Sequence, residues 1–505
     1  MSNLDRVVFS KFIYIIFFIL GSLLTFILPP YNYTFIGFLV FPILLFLLEK
    51  NKIKNYKFFF LSGLLFGFGY FLFSLYWISY SLNFDENLKI LKPVAIILLP
   101  IILSIFYGLI FLIFKNFVEK SFDSVLVFSI IFVLIEFLRG VIFTGFPWNL
   151  VVYTLSDKIE FLQYLKIIGT HGLELLLIIL FCIPYLLLCN LKLINKVLIV
   201  FTTILSLFLF FVVGKKLLDQ KLIKQETDFV ILQPNENILN IYNRPTKHLN
   251  NLIEISDPEN HNEDTIFVWP EGSIYLEDFK PNIKNLEKIF SSRFRSNQKI
   301  ILGAINKYNK KTYNSIIVVN SQGKILDKYN KIKLVPFGEY IPFEKLIRRV
   351  GFKKITFGYD SFTKGTYRNI IKINGTNLLP IICYEIIYSG RINTEKHNFD
   401  IIINLSEDGW FNKSIGTYQH FYHSIFRAIE EGKQVIRSTN QGITASILPN
   451  GLIHKEKSLI NGGKIHTKAY LLENNTLFSK YGNLIFSLLI VILLVLQNIF
   501  KRIIK

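Results

Sequence analysis

The sequence predicts a two-part fold, an α-helical membrane bundle of eight spans joined to an α/β domain that folds in water. Three observations predict it. Of 505 residues, 51% are hydrophobic and only 18% are charged, against roughly 25% charged in soluble domains. Apolar runs able to cross a hydrocarbon core of ~30 Å, about 20 helical residues each, recur along the first part of the chain and once near its end. Between Lys215 and about Lys480 the texture changes to short Ile- and Val-rich runs broken by Asn, Asp, Gly and Pro, the pattern of buried strands. Disorder, collagen-like repeats and small disulfide scaffolds are excluded. The boundaries fall at 1–214 for a seven-span membrane domain, 215–480 for the aqueous domain and 481–505 for a last helix and tail.

Taken in order, the spans are expected at 12–28, 33–48, 58–80, 93–114, 124–143, 167–188, 197–213 and 484–500. Gly63 and Gly67 form a G-x-x-x-G, extended by Gly69, which reads as close helix packing. Glu136 and Arg139, three apart on one helix, read either as a structural pair or as a contact to lipid headgroups or the outer domain. Lys and Arg exceed Asp and Glu by 20. Such a balance suits nucleic acid or anionic lipid, but in a membrane protein it first reports orientation. Lys50, Lys52, Lys54 and Lys57, then Lys115 and Lys120, Lys192 and Lys196, and finally Lys501, Arg502 and Lys505 follow alternate spans. Positive-inside reasoning places both termini in the cytoplasm and the 215–480 domain outside, on the periplasmic side of a bacterial inner membrane. The first span has no small-x-small cleavage site and reads as uncleaved.

Strands are expected at about 228–233, 266–269, 299–304, 315–319, 378–383, 401–404 and 434–437, with helices near 246–255 and 417–431. Of three cysteines, Cys182 and Cys189 lie in a span and Cys383 is alone in the outer domain. A lone thiol is usually a buried small hydrophobe. Here it ends a strand-like run, Leu378 to Ile382, and precedes Tyr384 and Glu385, so it sits where a substrate reaches a sheet rim. A thiol nucleophile needs a proton acceptor and an oxyanion partner. His420 and His423 are three apart on a helix, and the preferred reading is an ordinary polar face rather than a metal pair. Acids and bases are then sought among Glu and Lys. Glu271 follows the apolar run Ile266 to Pro270, and Lys331 follows another strand-like stretch.

The ordered set Glu271, Lys331 and Cys383, in W-P-E, Y-N-K and C-Y-E contexts, resembles the Glu-Lys-Cys triad of the nitrilase superfamily. With the membrane spans, the whole chain resembles the bacterial apolipoprotein N-acyltransferase family. Gly145-Phe146-Pro147-Trp148, Leu334 to Tyr340, Trp410-Phe411 and Arg437-Ser438-Thr439-Asn440 carry the likeness further. The resemblance implies an αββα sandwich with Cys383 as nucleophile, Glu271 as general base and Lys331 as oxyanion stabiliser, supported by Glu339, Tyr384 and Glu385. Many members carry His where this chain has Lys333, and Tyr242 stands near the place of a family tryptophan.

The resemblance further implies acyl transfer from a phospholipid, through a Cys383 thioester, to the α-amino group of a diacylglyceryl apolipoprotein. It implies membrane lipid as a partner, no nucleic acid, no metal and no cofactor. Arg348, Arg349, Lys353 and Lys354, interleaved with Phe352 and Phe357, are expected to touch lipid headgroups. Two competitors are a membrane-tethered amidase that uses water as acceptor, and an inactive transporter or scaffold. Eight spans are pointless for a soluble amide substrate, and an intact triad speaks against an inactive scaffold.

Overall fold

A computed structural model describes residues 3–119, 121–276, 283–342, 361–457 and 461–504. The chain divides into two compact units: Met1–Ser79, Lys92–Asp219 and Leu477–Lys505 form the first, and Tyr80–Leu91 with Gln220–Thr476 the second.

In the first unit the apolar runs are helices: Asn3–Leu24, Phe35–Lys50, Tyr56–Leu75, Lys92–Phe114, Phe122–Arg139, Leu165–Cys182, Leu193–Leu218 and Leu484–Ile504. Four continuous helical runs, Tyr56–Phe84, Lys89–Phe117, Leu165–Leu188 and Leu193–Leu218, have the length and apolarity to cross a membrane. Their starts are written locally. The Asn55 side chain accepts from the Phe58 N–H at 3.0 Å, and the Ser121 hydroxyl accepts from the Ser124 N–H at 3.3 Å, each satisfying a donor that a helix start leaves free. The G-x-x-x-G does what small residues allow. A Cβ on Gly63 would lie 2.3 Å from the Tyr107 carbonyl oxygen, and one on Gly67 2.7 Å from Tyr107 Cβ, so Tyr56–Leu75 and Lys92–Phe114 approach backbone to backbone. Glu136 and Arg139 are fully buried and paired. Arg139 also donates to the Phe146 carbonyl and lies 5.2 Å from the Phe71 ring centre, tying its helix to the Gly145–Trp148 loop. That is the structural-pair reading of the two charges.

The second unit holds two sheets. One has the order β13-β1-β2-β4-β5-β6, with β3 also paired to β4; the other has the order β12-β11-β10-β9-β8-β7. The first sheet uses β1 (Leu222–Gln233), β2 (Ile266–Val268), β3 (Ile274–Tyr275), β4 (Lys299–Tyr308), β5 (Lys311–Asn320), β6 (Ile325–Asn330) and β13 (Gly463–Leu472). The second uses β7 (Ile371–Ile373), β8 (Thr376–Ile382), β9 (Ile401–Ser406), β10 (Gln434–Thr439), β11 (Thr444–Ile447) and β12 (Ile453–Lys457). The sheets face each other. Ser438 Oγ of β10 donates to the Leu232 carbonyl of β1 at 2.7 Å, and the Thr444 N–H donates to Gln233 Oε1 at 3.1 Å. On the outer side of the first sheet, Val230, Leu232, Phe267, Trp269 and Leu302 pack against Leu249, Leu252 and Ile253 of Pro245–Ser256 and Phe290 of Ile283–Arg293. Helix Ile415–Glu431 covers the second sheet, where Ser424 donates to Asn404 of β9 at 3.5 Å. Strands covered on both faces must be apolar throughout, which is why β1 runs buried without a break from Asp228 to Gln233.

Several strand ends differ from the sequence reading: β1, β4, β5, β9 and β10 are longer than expected, because each continues through polar residues that the apolar runs do not include, while two strands end one residue early. β2 stops at Val268 rather than 269, and β8 stops at Ile382 rather than 383. The segment holding Arg348, Arg349, Phe352, Lys353, Lys354 and Phe357 lies outside the described residues.

Candidate active site

The three sequence-predicted residues sit just beyond strand ends, where an α/β sheet opens a crevice. Glu271 follows β2 in a turn that rests on Gly303 of β4. A Cβ at Gly303 would meet the Pro270 oxygen at 2.4 Å and Glu271 Cα at 2.5 Å, so only glycine allows this approach. Lys331 follows β6. Its N–H donates to the Asn314 carbonyl at 2.9 Å and its carbonyl accepts from Gly365 N–H at 2.8 Å. Cys383 leaves β8 with φ +46°, a left-handed conformation that costs a non-glycine residue about 1–3 kcal/mol.

Glu385 holds that turn in place. Its carboxylate accepts from Ile382 N–H at 2.9 Å, closing the Cys383 turn on itself. It also accepts from the N–H groups of Ile332 at 2.9 Å and Lys333 at 3.1 Å, and from Tyr329 Oη at 2.7 Å. Arg368, buried at 1% exposure, lies 3.2 Å away. One carboxylate therefore fixes the Cys383 turn to the Lys331 loop. Burial alone would raise its pKa, but Arg368 and these donors outweigh it and hold Glu385 below the usual carboxylate range.

Around the Lys331 ammonium lie Glu339 Oε1 at 2.8 Å and Glu271 Oε1 at 3.4 Å. Asn314 Nδ2 bridges the same two oxygens, at 3.0 and 2.7 Å. Glu339 Oε2 accepts from Val335 N–H at 2.8 Å, and Glu271 Oε2 from Glu407 N–H at 2.9 Å. Cys383 is close enough to Glu271 for each to act on the other's charge. Burial raises the Glu271 pKa, with Lys331 opposing and Glu339 adding to the rise. Burial would lower Lys331, but Glu339 and Glu271 reverse this and keep it a cation. Burial and then the Glu271 charge push the Cys383 thiol well up, against the pull of Lys331. The resting site thus pairs a protonated thiol with a strengthened carboxylate base and a fixed cation. That set suits acyl transfer through sulfur.

Tyr384 packs edge-on against Tyr388, 5.5 Å between ring centres. The sequence reading missed Asn314, Arg368 and the buried network under Cys383. Asp408 accepts from Arg437 Nη2 and Ser406 Oγ, each at 2.7 Å, and lies 2.8 Å from His420 Nδ1; His420 Nε2 is 3.3 Å from the Cys383 carbonyl oxygen. Arg437 and His420 outweigh burial and bring the Asp408 pKa down to about 2. The expected polar helix face is corrected here: His420 and His423 are both buried, and His420 is held inside by Asp408. Cys383, Asp408 and His420 place one donor atom each within 4.8 Å of one another. Arg437 already supplies the positive charge at Asp408, so the cluster reads as a hydrogen-bonded support rather than a cation site.

Comparison with known proteins agrees with this chemistry. The family model for the apolipoprotein N-acyltransferase N-terminal domain matches residues 20–183, and that for carbon-nitrogen hydrolase matches 258–463. An apolipoprotein N-acyltransferase of Rickettsia typhi is 30% identical over 506 aligned positions, covering 97% of this chain and 98% of the relative. One from Rhizobium etli is 31% identical, covering 86% and 85%. The chain belongs to the apolipoprotein N-acyltransferase family. This acyltransferase also has likenesses among solved structures, including a Nesterenkonia amidase of the nitrilase superfamily at TM-score 0.37 and 13% identity, covering 49% of this chain and 91% of that one. A CN-hydrolase superfamily protein from Xanthomonas campestris aligns at TM-score 0.36 and 14% identity, covering 48% and 91%.

Proposed function

We propose that the enzyme moves an acyl chain from a phospholipid to the α-amino group of a diacylglyceryl apolipoprotein, with Cys383 as carrier, Glu271 as base and Lys331 as oxyanion partner. The observation that carries this reading is the meeting of the Lys331 ammonium with Glu271 at 3.4 Å and Glu339 at 2.8 Å, beside a buried Cys383 thiol on which the Glu271 and Lys331 charges both act. Glu271 takes the thiol proton as sulfur attacks the ester carbonyl. The negative charge on the tetrahedral oxygen develops against Lys331, a fixed cation in a dry site. Collapse breaks the acyl C–O bond, and Glu271 returns the proton to the departing lysophospholipid oxygen. In the second half the amine attacks the thioester, its proton passes to Glu271, and the Cys383 sulfur leaves and is reprotonated. The thioester is an activated acyl, so amide formation runs downhill with the ester as energy source.

Glu339 keeps the Lys331 ammonium aimed, and Glu385 and Tyr384 hold the nucleophile turn. In this reading the protein resides in the bacterial inner membrane through eight spans, with both termini in the cytoplasm. Residues 1–214 form the bundle, 215–480 the catalytic domain on the periplasmic side, and 481–505 the last helix and tail. Both substrates are anchored in the bilayer, so the membrane raises their local concentration at the site. Arg348, Arg349, Phe352, Lys353, Lys354 and Phe357 are assigned to headgroup contact. The test is intact-mass analysis of purified protein mixed with phospholipid alone. One added acyl group, labile to hydroxylamine and lost in Cys383→Ala, is expected. A wild-type mass unchanged by every phospholipid refutes the reading.

A further inference from the structure

Beside the triad, three chain segments each bring a cation that the chemistry above does not use. Lys333 is two residues beyond Lys331, its N–H bonded to Glu385 at 3.1 Å, and its ammonium lies 5.6 Å from the Tyr388 ring centre. Arg391 turns back on the same tyrosine, its N–H donating to the Tyr388 carbonyl at 3.4 Å. Lys364 precedes Gly365, whose N–H is bonded to the Lys331 carbonyl at 2.8 Å. Gly365 is held so closely that a Cβ there would lie 2.2 Å from the Asn330 oxygen. The three main-chain attachments are thus fixed to the catalytic loops themselves. Lys333 and Arg391 are half-buried and Lys364 is exposed.

Among the described residues none of the three has an ion-pair partner. Glu385, the carboxylate that acts on Lys333, is already engaged by Arg368, Tyr329 and three N–H groups. Burial, and then repulsion from Lys364 and Arg391, hold the Lys333 ammonium below the usual lysine range. Like charges set near one another with no counter-charge among the described residues repel one another, and a bound anion relieves that cost. Tyr388 gives the cluster an apolar floor and packs against Tyr384, the residue after the nucleophile.

We propose that Lys333, Lys364 and Arg391 form the headgroup subsite of the acyl donor and bind its phosphodiester. The inference rests on the reading of Cys383 as the acceptor of a phospholipid acyl chain. In such a donor the scissile ester and the phosphate are separated by one glycerol unit, so an anion site beside the nucleophile orients the carbonyl toward sulfur. Lysine and arginine both suit a phosphate, arginine by a two-pronged contact. A phosphate held here also fixes the lysophospholipid product until the thioester has formed.

The test uses the full-length protein in mixed micelles with two donors that share one acyl chain. Dipalmitoyl phosphatidylethanolamine carries the phosphate, and p-nitrophenyl palmitate does not. Acylation of Cys383 is followed by intact mass for wild type, Lys333→Gln, Lys364→Gln, Arg391→Gln and the triple variant. The expected result is a fall in the phospholipid-to-aryl-ester rate ratio of about fivefold for each single variant and fiftyfold or more for the triple, since each removes one charge-assisted contact. A ratio unchanged in the triple variant overturns the subsite, as does an equal loss with both donors. Inorganic phosphate is the third probe. Weak competition, felt only with the phospholipid, agrees with a headgroup site, whereas saturable inhibition at micromolar phosphate assigns the cluster to a soluble anion and overturns it. Wild-type protein that is acylated by neither donor refutes the carrier role of Cys383 itself, a failure distinct from that of the subsite.

Discussion

Replacing Glu271 by Gln tests the central chemistry with almost no change in volume. The native carboxylate is surrounded by donors: Asn314 Nδ2 at 2.7 Å and Lys331 Nζ at 3.4 Å reach Oε1, and Glu407 N–H at 2.9 Å reaches Oε2. An amide brings one acceptor and one NH₂. If its oxygen faces Lys331 and Asn314, its NH₂ opposes the Glu407 N–H and leaves that buried donor unpaired, at a cost of about 1–3 kcal/mol. The opposite rotamer sets the NH₂ against two donors and is worse. Loss of the base alone costs about 10²–10⁴ in rate. Glu271→Gln is therefore expected to slow thioester formation at least ~100-fold, read as the time course of mass gain with excess phospholipid. The pH profile adds a second signature. Burial raises the Glu271 pKa and the group works deprotonated, so the wild-type rate falls as pH drops through a midpoint above the ordinary carboxylate value, and the Gln variant lacks this limb. Acylation of the variant at the wild-type rate with the same pH profile refutes Glu271 as base.

Three further outcomes follow from the geometry. Lys331→Met leaves Glu271 and Glu339 around an uncharged chain where the ammonium had contacted both; acylation should fall by about 10²–10³, with phospholipid binding to the protein retained in a flotation assay. Asp408→Asn strips Arg437 of its buried counter-charge and should cost about 3 kcal/mol near neutral pH, read by thermal unfolding in detergent. The folded Asp408 pKa of about 2 is below its unfolded value near 3.9. Its contribution is therefore full above pH ~4 and lost as pH falls toward 2, so the gap between wild type and variant should narrow at pH ~3. Gly303→Ala drives a methyl into the Pro270–Glu271 turn at 2.4–2.5 Å; a loss of about 1–3 kcal/mol in stability and a marked fall in acylation rate are expected, with Gly303→Ser no better.

Much of this molecule was legible before any coordinates, because the relevant signals are local. A run of apolar residues about 20 long has few folded options other than a helix in lipid, and helices occupy each such run. The strands β1, β8 and β9 announced themselves by short clusters of Ile, Val and Leu, since sheets covered on both sides favour such residues. Glu271, Lys331 and Cys383 stood out because each follows a strand-like run within a few residues. What stayed hidden depends on register between segments far apart in sequence. Asn314 reaches Lys331 because β5 pairs with β6 so that Ser315 opposes Asn330. Arg437 meets Asn404 because β10 and β9 pair at that register, and only then does it reach Asp408. His420, on the helix above, read only as part of an ordinary polar face because its partners come from other strand ends. The φ of +46° at Cys383 is likewise invisible in sequence, since nothing local demands it: the turn is held by Glu385 against donors 50 or more residues away in Ile332, Lys333 and Tyr329. Sequence by itself marked the apolar runs, because composition and periodicity are local, and singled out Glu271, Lys331 and Cys383 through the resemblance of their contexts to the nitrilase triad. The tertiary structure alone decided how strongly each group is charged and where it points, because burial and partners brought from distant strands set both.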